Sequence, residues 1–174
     1  MVYGNKSGNE KRLALDIASF VLDKKKQPII LCVGSDKVVG DTLGVLVGEL
    51  LKNNPAFKGR VYGDLKEPIT RLNILKTIEK IRTVHKDNPI IVVDAVLGSE
   101  EEVGCVKTHK NGIFAGGQFG KGHMVGDYSI LGVVCCKGVS ALSFLGSVRL
   151  KIVVELSKKI ASSIEYSSQL CLGL

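Results

Sequence analysis

Two aspartates that follow apolar stretches of the sequence could work as a pair of carboxyl groups. Asp41 comes a few residues after the apolar run at 29–33, and Asp94 directly follows the apolar run at 89–93. Two carboxyl groups within hydrogen-bonding reach cannot both ionise easily, so they share a proton, and one serves as a base while the other serves as an acid. Such a pair can activate water and protonate an amide nitrogen, which predicts a peptide hydrolase.

Each aspartate also has a purely structural explanation. Asp41 could be the N-cap of a helix that starts at Thr42, because its side chain would accept hydrogen bonds from the free amides of the first turn. Asp94 could cap a loop or bind a lysine. Phosphate loops are excluded, because Gly40 is followed by an aspartate where a Walker loop has lysine, and the other glycines are too widely spaced for a dinucleotide fingerprint.

The glycine-rich segment at 112–127 supplies two candidates for a third member of the site. Six glycines disfavour regular structure, so we expect a long loop that flanks the aspartate pair and brings Asp127 toward it, with His123 as a further candidate. This requires the next strand, at 128–135, to run antiparallel to its neighbour or the loop to fold back. The alternative is a surface loop that ends in a turn aspartate.

Strand and helix units must position these residues. Branched apolar runs without polar alternation are typical of strands that are covered on both faces, and apolar residues at spacings of three and four are typical of helices. Because parallel strands bring their carboxyl ends to one sheet edge, we expect the strand ends at Gly34 and Asp94 to be neighbours. The predicted strands are 29–33, 59–63, 89–94, 104–108 and 128–135, and the predicted helices are 9–25, 42–52, 72–85 and 140–166.

Length and composition restrict the class of protein. With 174 residues, of which 45% are hydrophobic and 24% charged, the chain is expected to be one globular domain, 1–174, with residues 1–8 a candidate disordered segment. No apolar run approaches the roughly 20 residues of a membrane helix, and the N-terminus lacks a secretory signal. We therefore expect a cytoplasmic protein without a membrane partner.

Cysteine spacing and charge exclude further classes. Five cysteines without C-x-x-C spacing predict buried free thiols instead of a zinc site or a disulfide framework. The net charge of +7 is spread along the chain and only 5% of the residues are aromatic, so we expect no nucleic-acid partner.

Four segments together resemble a known family. The pairing of GSDKVVGDTLG with IIVVDAVLGS, followed by VGDYSILGVV and a terminal helix with SVRLKIV, resembles the YyaC-type spore proteases of spore-forming Firmicutes over residues 27–164. These are similar, more remotely, to the spore germination protease and to hydrogenase maturation endopeptidases. The resemblance implies a three-layer αβα sandwich with a mixed, largely parallel sheet, of the phosphorylase/hydrolase-like kind.

The resemblance also implies roles for individual residues. In the germination protease each of two matching segments supplies a catalytic aspartate, and the matching positions here are Asp41 in GDTLG and Asp94 in VVDAVLG. In the maturation endopeptidases acidic residues and a histidine bind the nickel of the client protein. This sequence lacks an equivalent histidine motif, and only His123 or Asp127 could stand near that place. The implied substrate is a protein or peptide of the spore, in the cytoplasm of the developing spore or its mother cell.

Three functions therefore compete. The favoured one is a sporulation-associated peptidase with Asp41 and Asp94 as its catalytic pair. The second is a non-enzymatic sporulation protein whose acidic cleft holds a basic peptide or a divalent cation, for which three or more oxygens must converge. The third is a small-molecule hydrolase, which needs an enclosed apolar pocket. No cofactor is assigned, a divalent cation at the aspartates stays open, and the oligomeric state is not predicted.

Overall fold

The fold is built on one six-stranded sheet with helices on both faces. A computed structural model describes residues 1–4, 8–115, 123–138 and 147–171. The strands are β1 (Val2–Tyr3), β2 (Ile29–Cys32), β3 (Arg60–Tyr62), β4 (Ile90–Gly98), β5 (Val106–His109), β6 (Ile113–Ala115), β7 (His123–Val125) and β8 (Tyr128–Cys136). The helices are α1 (Asn9–Lys24), α2 (Leu43–Lys52), α3 (Ile74–Val84) and α4 (Leu150–Leu170), with short 3₁₀ helices at Val39–Asp41 and Glu100–Glu102.

The sheet is mixed but largely parallel. Its strand order is β1-β5-β8-β4-β2-β3, and β8, β4, β2 and β3 run parallel to one another. β5 lies antiparallel to β8, and β1 lies antiparallel to β5. β6 and β7 pair separately as an antiparallel hairpin. This architecture confirms the predicted α/β class and fits a three-layer sandwich.

The alternating side chains of the parallel strands supply two apolar cores, which explains why their sequence shows no polar alternation. On one face Ile30 and Cys32 of β2 belong to a buried cluster that includes residues of α1, α2 and α4. On the other face Ile29 and Leu31 belong to a cluster with Ile74 and Ile81 of α3 and residues of the hairpin. Burial of both faces fixes the register of β2, because a slip of one residue would exchange its two sets of side chains.

Several boundaries differ from the sequence prediction. β4 does not end at Asp94 but continues to Gly98, because β8 pairs with it from Ile91 to Gly98, with a register shift after Val96. The glycine-rich segment is not all loop, since β6 and β7 lie in it; residues 116–122 lie outside the described part. The closing helix begins at Leu150, after an extended Arg149, and residues 139–146 of the prediction lie outside the described part.

Residues 1–4, part of the candidate disordered segment 1–8, lie against the sheet and α4. Val2 and Tyr3 pair with β5, and the terminal amino group donates a hydrogen bond to the Thr108 carbonyl oxygen at 2.8 Å. Lys159 of α4 donates to the carbonyl oxygen of Gly4 at 2.6 Å, which ties this strand to the helix layer. Residues 5–7 lie outside the described part.

Candidate functional site

A sharp turn after β2 folds the chain back over the end of that strand. Gly34 has a φ of +149°, a backbone conformation that L side chains rarely adopt, and a Cβ atom at this position would collide with the carbonyl group of Asp41. The Ser35 amide donates to the Asp41 carbonyl oxygen at 3.0 Å, and the Asp41 amide donates to that of Val38 at 2.8 Å. These bonds place Asp41 at the carboxyl end of β2.

Asp41 does not cap α2, so its structural explanation is wrong. The N-cap position belongs to Thr42, and no side chain caps the helix there. The Thr42 hydroxyl instead donates to the Val38 carbonyl oxygen at 3.0 Å. Asp41 ends the preceding 3₁₀ turn and is half-buried. The Asp41 side chain is thus partly buried although it does not cap α2.

Asp94 lies beside the same strand end. Cys32, the last residue of β2, is the register partner of Val93, so Asp94 is the first residue of β4 beyond that pair. Its position in the alternation of β4 places it on the α3 face of the sheet, with Val92. The two strand ends are therefore neighbours, as the sequence predicts. One oxygen of Asp94 accepts a hydrogen bond from the Ala95 amide at 2.8 Å.

The environment of the two carboxyl groups favours their protonated forms. Burial, with a smaller contribution from the nearby Asp41, raises the pKa of Asp94 to about 7, against the opposing effects of the Ala95 amide and Arg71. Burial also raises the pKa of Asp41, against the effects of Arg71 and the Ser35 amide. A carboxyl group with a pKa of about 7 is half protonated near neutral pH and can serve as an acid there.

Arg71 is a member of this site that the sequence analysis missed. The backbone at Ile69 forms a parallel bridge with Val33, and the Ile69 carbonyl oxygen accepts from the Gly34 amide at 2.8 Å. The chain that leads into α3 therefore passes the carboxyl end of β2, and Arg71 follows two residues later. The signal available in the sequence was a basic residue between the second strand and its crossover helix, at the predicted site edge.

Asp127 and His123 do not join the pair. β8 runs parallel to β4, so Asp127, which precedes β8, lies beside Ile90 at the opposite edge of the sheet. Its carboxylate accepts from the Ile90 amide at 2.7 Å and pairs with Arg82 at 3.1 Å. The strand rise separates it from Asp94 by about 13 Å along the sheet. His123 begins β7 with an exposed side chain, and no contact links it to either aspartate within the described residues.

A third aspartate at the carboxyl edge has a structural role. Asp64 follows β3 and is buried, and its carboxylate pairs with Lys52 at 2.5 Å and accepts from the Glu67 amide at 2.6 Å. Burial alone would raise the pKa of Asp64, but these two partners lower it below its ordinary value. A carboxylate held ionised by a lysine and an amide is unsuited to proton transfer.

The described residues form no cluster of metal ligands at the pair, and the two cavities described below lie elsewhere. Across the described ranges no three His, Cys, Asp or Glu side chains are grouped in a way that could hold a metal ion. One cavity of about 290 Å³ lies between α1 and α4, with Glu10 and Tyr166 in its wall, and a second, of about 10 Å³, lies between α1, α4 and the start of β2. Neither cavity is lined by Asp41 or Asp94.

Two further expectations can be compared with the structure. All five cysteines are free thiols, and Cys32, Cys135 and Cys171 are buried while the other two are half-buried. Among the helices of the described part, none combines the length and apolar character that a bilayer crossing requires.

Comparison with known proteins gives two matches. The model of the family described as "Protein of unknown function (DUF1256)" matches residues 1–163. The chain is also 31% identical over 145 residues to a protein of Bacillus subtilis (strain 168) named "Uncharacterized protein YyaC". That alignment covers 83% of this chain and 71% of the relative.

Proposed function

This chain belongs to the family described as "Protein of unknown function (DUF1256)", and we propose from its geometry that it is a peptide hydrolase with Asp41 and Asp94 as its catalytic pair. The observation that carries the proposal is the position of Asp94 beside Asp41 at the end of β2, with its pKa raised to about 7. Within the described residues both carboxyl groups have a raised pKa, whereas Lys52 and the Glu67 amide hold Asp64 ionised, and this contrast suits the pair to proton transfer.

The reaction divides the two roles according to charge. Asp41, as the carboxylate, accepts a proton from a water molecule while the oxygen of that water forms a bond to the carbonyl carbon of the substrate. Asp94, as the carboxylic acid, gives its proton to the amide nitrogen, and the carbon–nitrogen bond breaks with its electrons left on nitrogen. The products are a new carboxyl terminus and a new amine. Transfer of the proton from Asp41 to Asp94, directly or through water, restores the pair.

A polypeptide substrate is favoured by the surface around the pair. Leu72, next to Arg71, is 98% exposed. Three more large apolar side chains are exposed on segments at this edge of the sheet: Val39, Leu65 and Leu75. Exposed apolar side chains on neighbouring segments suit a surface that binds another molecule. An extended peptide with apolar residues on either side of the scissile bond suits such a surface better than an enclosed metabolite does.

The alternative, an acidic cleft that binds a basic peptide, has less support. Arg71 adds a positive charge beside the two aspartates, as its effect on the pKa of both indicates. With one shared proton, the three groups together carry no net charge. Such a site offers little attraction to a cationic peptide. A divalent cation site likewise has less support, because no three His, Cys, Asp or Glu side chains are grouped as metal ligands among the described residues.

The biological setting rests on the family resemblance. The similarity to YyaC-type spore proteases suggests a spore protein as the substrate. It also suggests the cytoplasm of a developing spore or its mother cell as the location.

The test is cleavage of a mixed peptide library and of a spore-protein extract, with fragments identified by mass spectrometry. The wild-type protein is compared with Asp41→Asn, Asp94→Asn and the matched control Asp23→Asn, which changes an exposed aspartate of α1. We expect wild type and Asp23→Asn to cleave the same bonds and both site variants to lose roughly a hundredfold or more in rate. Undiminished cleavage by Asp94→Asn, or binding of basic peptides without any cleavage, would refute the hydrolase.

A further inference from the structure

β4 has an open edge beside the aspartate pair. The last hydrogen bond between β2 and β4 runs from the Val33 amide to the Val93 carbonyl oxygen, at 2.8 Å. The chain then leaves β4, because Gly34 turns and its amide donates to the Ile69 carbonyl oxygen on the other side of β2. β4 itself continues to Gly98 with β8 as its neighbour. Within the described residues no strand pairs with the β2 side of β4 beyond Val93.

Burial along β4 changes at the point where β2 ends. The residues from Ile90 to Val93 are all buried, whereas the next three are only partly buried and Leu97 is 36% exposed. A strand with a neighbour on each side and both faces covered is buried along its whole length. The change therefore coincides with the loss of β2 as a neighbour, and it makes this part of β4 accessible to another molecule.

Alternate residues of β4 direct their backbone groups to the open edge. The Val93 carbonyl oxygen points toward β2, where it accepts from Val33. The Gly98 carbonyl oxygen points the other way and accepts from the Lys137 amide, just after β8, at 2.8 Å. Because successive residues of a strand alternate in direction, the backbone groups of residues 95 and 97 point to the side that β2 has left.

The Asp94 carboxyl group is held at the same edge. It accepts from the Ala95 amide at 2.8 Å, and that amide is one of the groups that point to the open side. Three backbone groups there have no hydrogen-bond partner among the described residues: the carbonyl oxygen of Ala95 and the amide and carbonyl oxygen of Leu97. Unpaired backbone groups in a row are a template for another extended chain. The strand rise places Leu97 about 10 Å from Asp94, so this edge has room for about three residues.

We propose that the substrate binds as an added β-strand, an extended peptide whose backbone pairs with residues 95–97 of β4 in the place that β2 leaves. The Leu97 amide donates to a carbonyl oxygen of the peptide, and the Ala95 carbonyl oxygen accepts from a peptide amide. These bonds lead the peptide to the aspartate pair at the end of β2. The inference rests on the proposed hydrolase function, and it restricts the substrate class to unfolded segments of polypeptide, because a helix has no free backbone groups to offer.

The experiment follows the Leu97 amide directly. The probe is the peptide that wild-type protein cleaves fastest in the mixed library or, if none is cleaved, a peptide of that library that immobilised Asp94→Asn protein retains. Hydrogen exchange of the backbone amides of Asp94→Asn protein is measured by NMR with and without the probe. We expect the Leu97 amide to exchange about tenfold more slowly, or slower still, when the peptide is bound. The Val96 amide, which points to β8, should show no comparable change.

Modified peptides and two variants test the same pairing independently. N-methylation of the probe at one residue at a time should weaken binding about tenfold at every second residue of one stretch, because only alternate amides face β4. Leu97→Pro removes the amide donor and should weaken binding by a similar factor, whereas Leu97→Ala, the matched control, keeps the amide and should weaken it less. Proline is tolerated where its nitrogen faces no partner strand, and the N-methylation series decides if Leu97→Pro does not fold.

The outcomes separate this inference from the hydrolase proposal. Unchanged exchange at Leu97 on binding, or N-methylation effects without alternation, would overturn the added strand even if peptides are cleaved. Protection of Leu97 in the free protein that grows with protein concentration would also overturn it and would assign the edge to a second copy of the chain. A peptide that is retained with alternating effects but never cleaved would support the added strand and refute the hydrolase. If the library yields neither cleavage nor retention, both proposals fail.

Discussion

Asp41 lies close enough to Asp94, across the end of β2, for its charge to raise the pKa of the second carboxyl group. This relationship predicts that Asp41→Asn lowers the pKa of Asp94 from its value of about 7, because the neighbouring negative charge is removed while burial is retained. The measurement is an NMR titration of the protein with its aspartates labelled with ¹³C at the side-chain carboxyl. Asp127→Asn is the control, since Asp127 lies at the opposite edge, and it should leave the Asp94 titration in place.

A second prediction concerns stability and pH. The folded-state pKa of Asp94, about 7, exceeds its ordinary value of 3.8, so the folded protein binds more protons than the unfolded chain between these values. The stability contribution of Asp94 is therefore complete below the lower value and is lost as the pH rises through the higher one. The difference corresponds to about 4 kcal/mol at most.

Asp94→Asn removes this dependence because the amide does not ionise. Relative to wild type, the variant should become more stable as the pH rises, with the smallest difference near about pH 4 and the largest near about pH 8. Urea unfolding of both proteins across this range measures the difference in the free energy of unfolding. A difference that is constant with pH would mean that Asp94 titrates at its ordinary value in the folded protein.

The third prediction is that Asp127 contributes to stability and not to peptide cleavage. Asp127→Ala should leave peptide cleavage unchanged, because this carboxylate lies far from the pair. It should destabilise the protein by about 1–3 kcal/mol, since the Ile90 amide and Arg82 both lose their acceptor. The melting temperature and the cleavage rate, measured on one preparation, test both parts of this prediction. A loss of cleavage without a change in melting temperature would mean that Asp127 takes part in the reaction.

The aspartate pair could be predicted because its position depends on strong local signals. The runs that contain Ile29 and Ile90 are branched and apolar on both faces, so they had to be central strands, and parallel strands bring their ends together. That Asp94 lies within β4 could not be foreseen, since the length of β4 depends on pairing with the distant β8. The sequence of a strand indicates which of its faces are buried, but the length of the strand also depends on the strand that pairs with it.

Chain direction and loop path explain the remaining differences. The sequence allowed the strand at 128–135 to be antiparallel. In the structure β5 is antiparallel to β8, while β8 is parallel to β4, so Asp127 lies at the sheet edge opposite to Asp94. Arg71 was missed because its position depends on the bridge between Ile69 and Val33, a pairing of two single residues without a periodic pattern. Both features are set by tertiary contacts and not by local sequence.

The apolar surface beside the pair gives a fourth prediction. Leu72→Ser should raise KM for a cleaved peptide by about tenfold without changing kcat, because it removes apolar contact that is equal in the ground and transition states. Leu15→Ser, a change to an exposed leucine of α1, is the matched control and should change neither constant. A fall in kcat with KM unchanged would place Leu72 in the reaction itself and not in substrate binding.

The last prediction tests whether the turn after β2 holds the pair together. Gly34→Ala introduces a Cβ atom that collides with the carbonyl group of Asp41, in addition to the unfavourable φ of +149°. Gly8→Ala is a matched control, because Gly8 also has a positive φ, of +90°, but its Cβ would meet no atom within 4 Å. The control should lose about 1–2 kcal/mol of stability from the backbone alone.

Gly34→Ala should lose more stability than the control, and it should also move Asp41 away from Asp94. The pKa of Asp94 should then fall, because the negative charge that helps to raise it has been displaced, while in Gly8→Ala it should stay near its wild-type value of about 7. Urea unfolding and the NMR titration of both variants measure the two effects separately. If Gly34→Ala is destabilised but the Asp94 titration does not move, the turn supports the fold without holding Asp41 against Asp94.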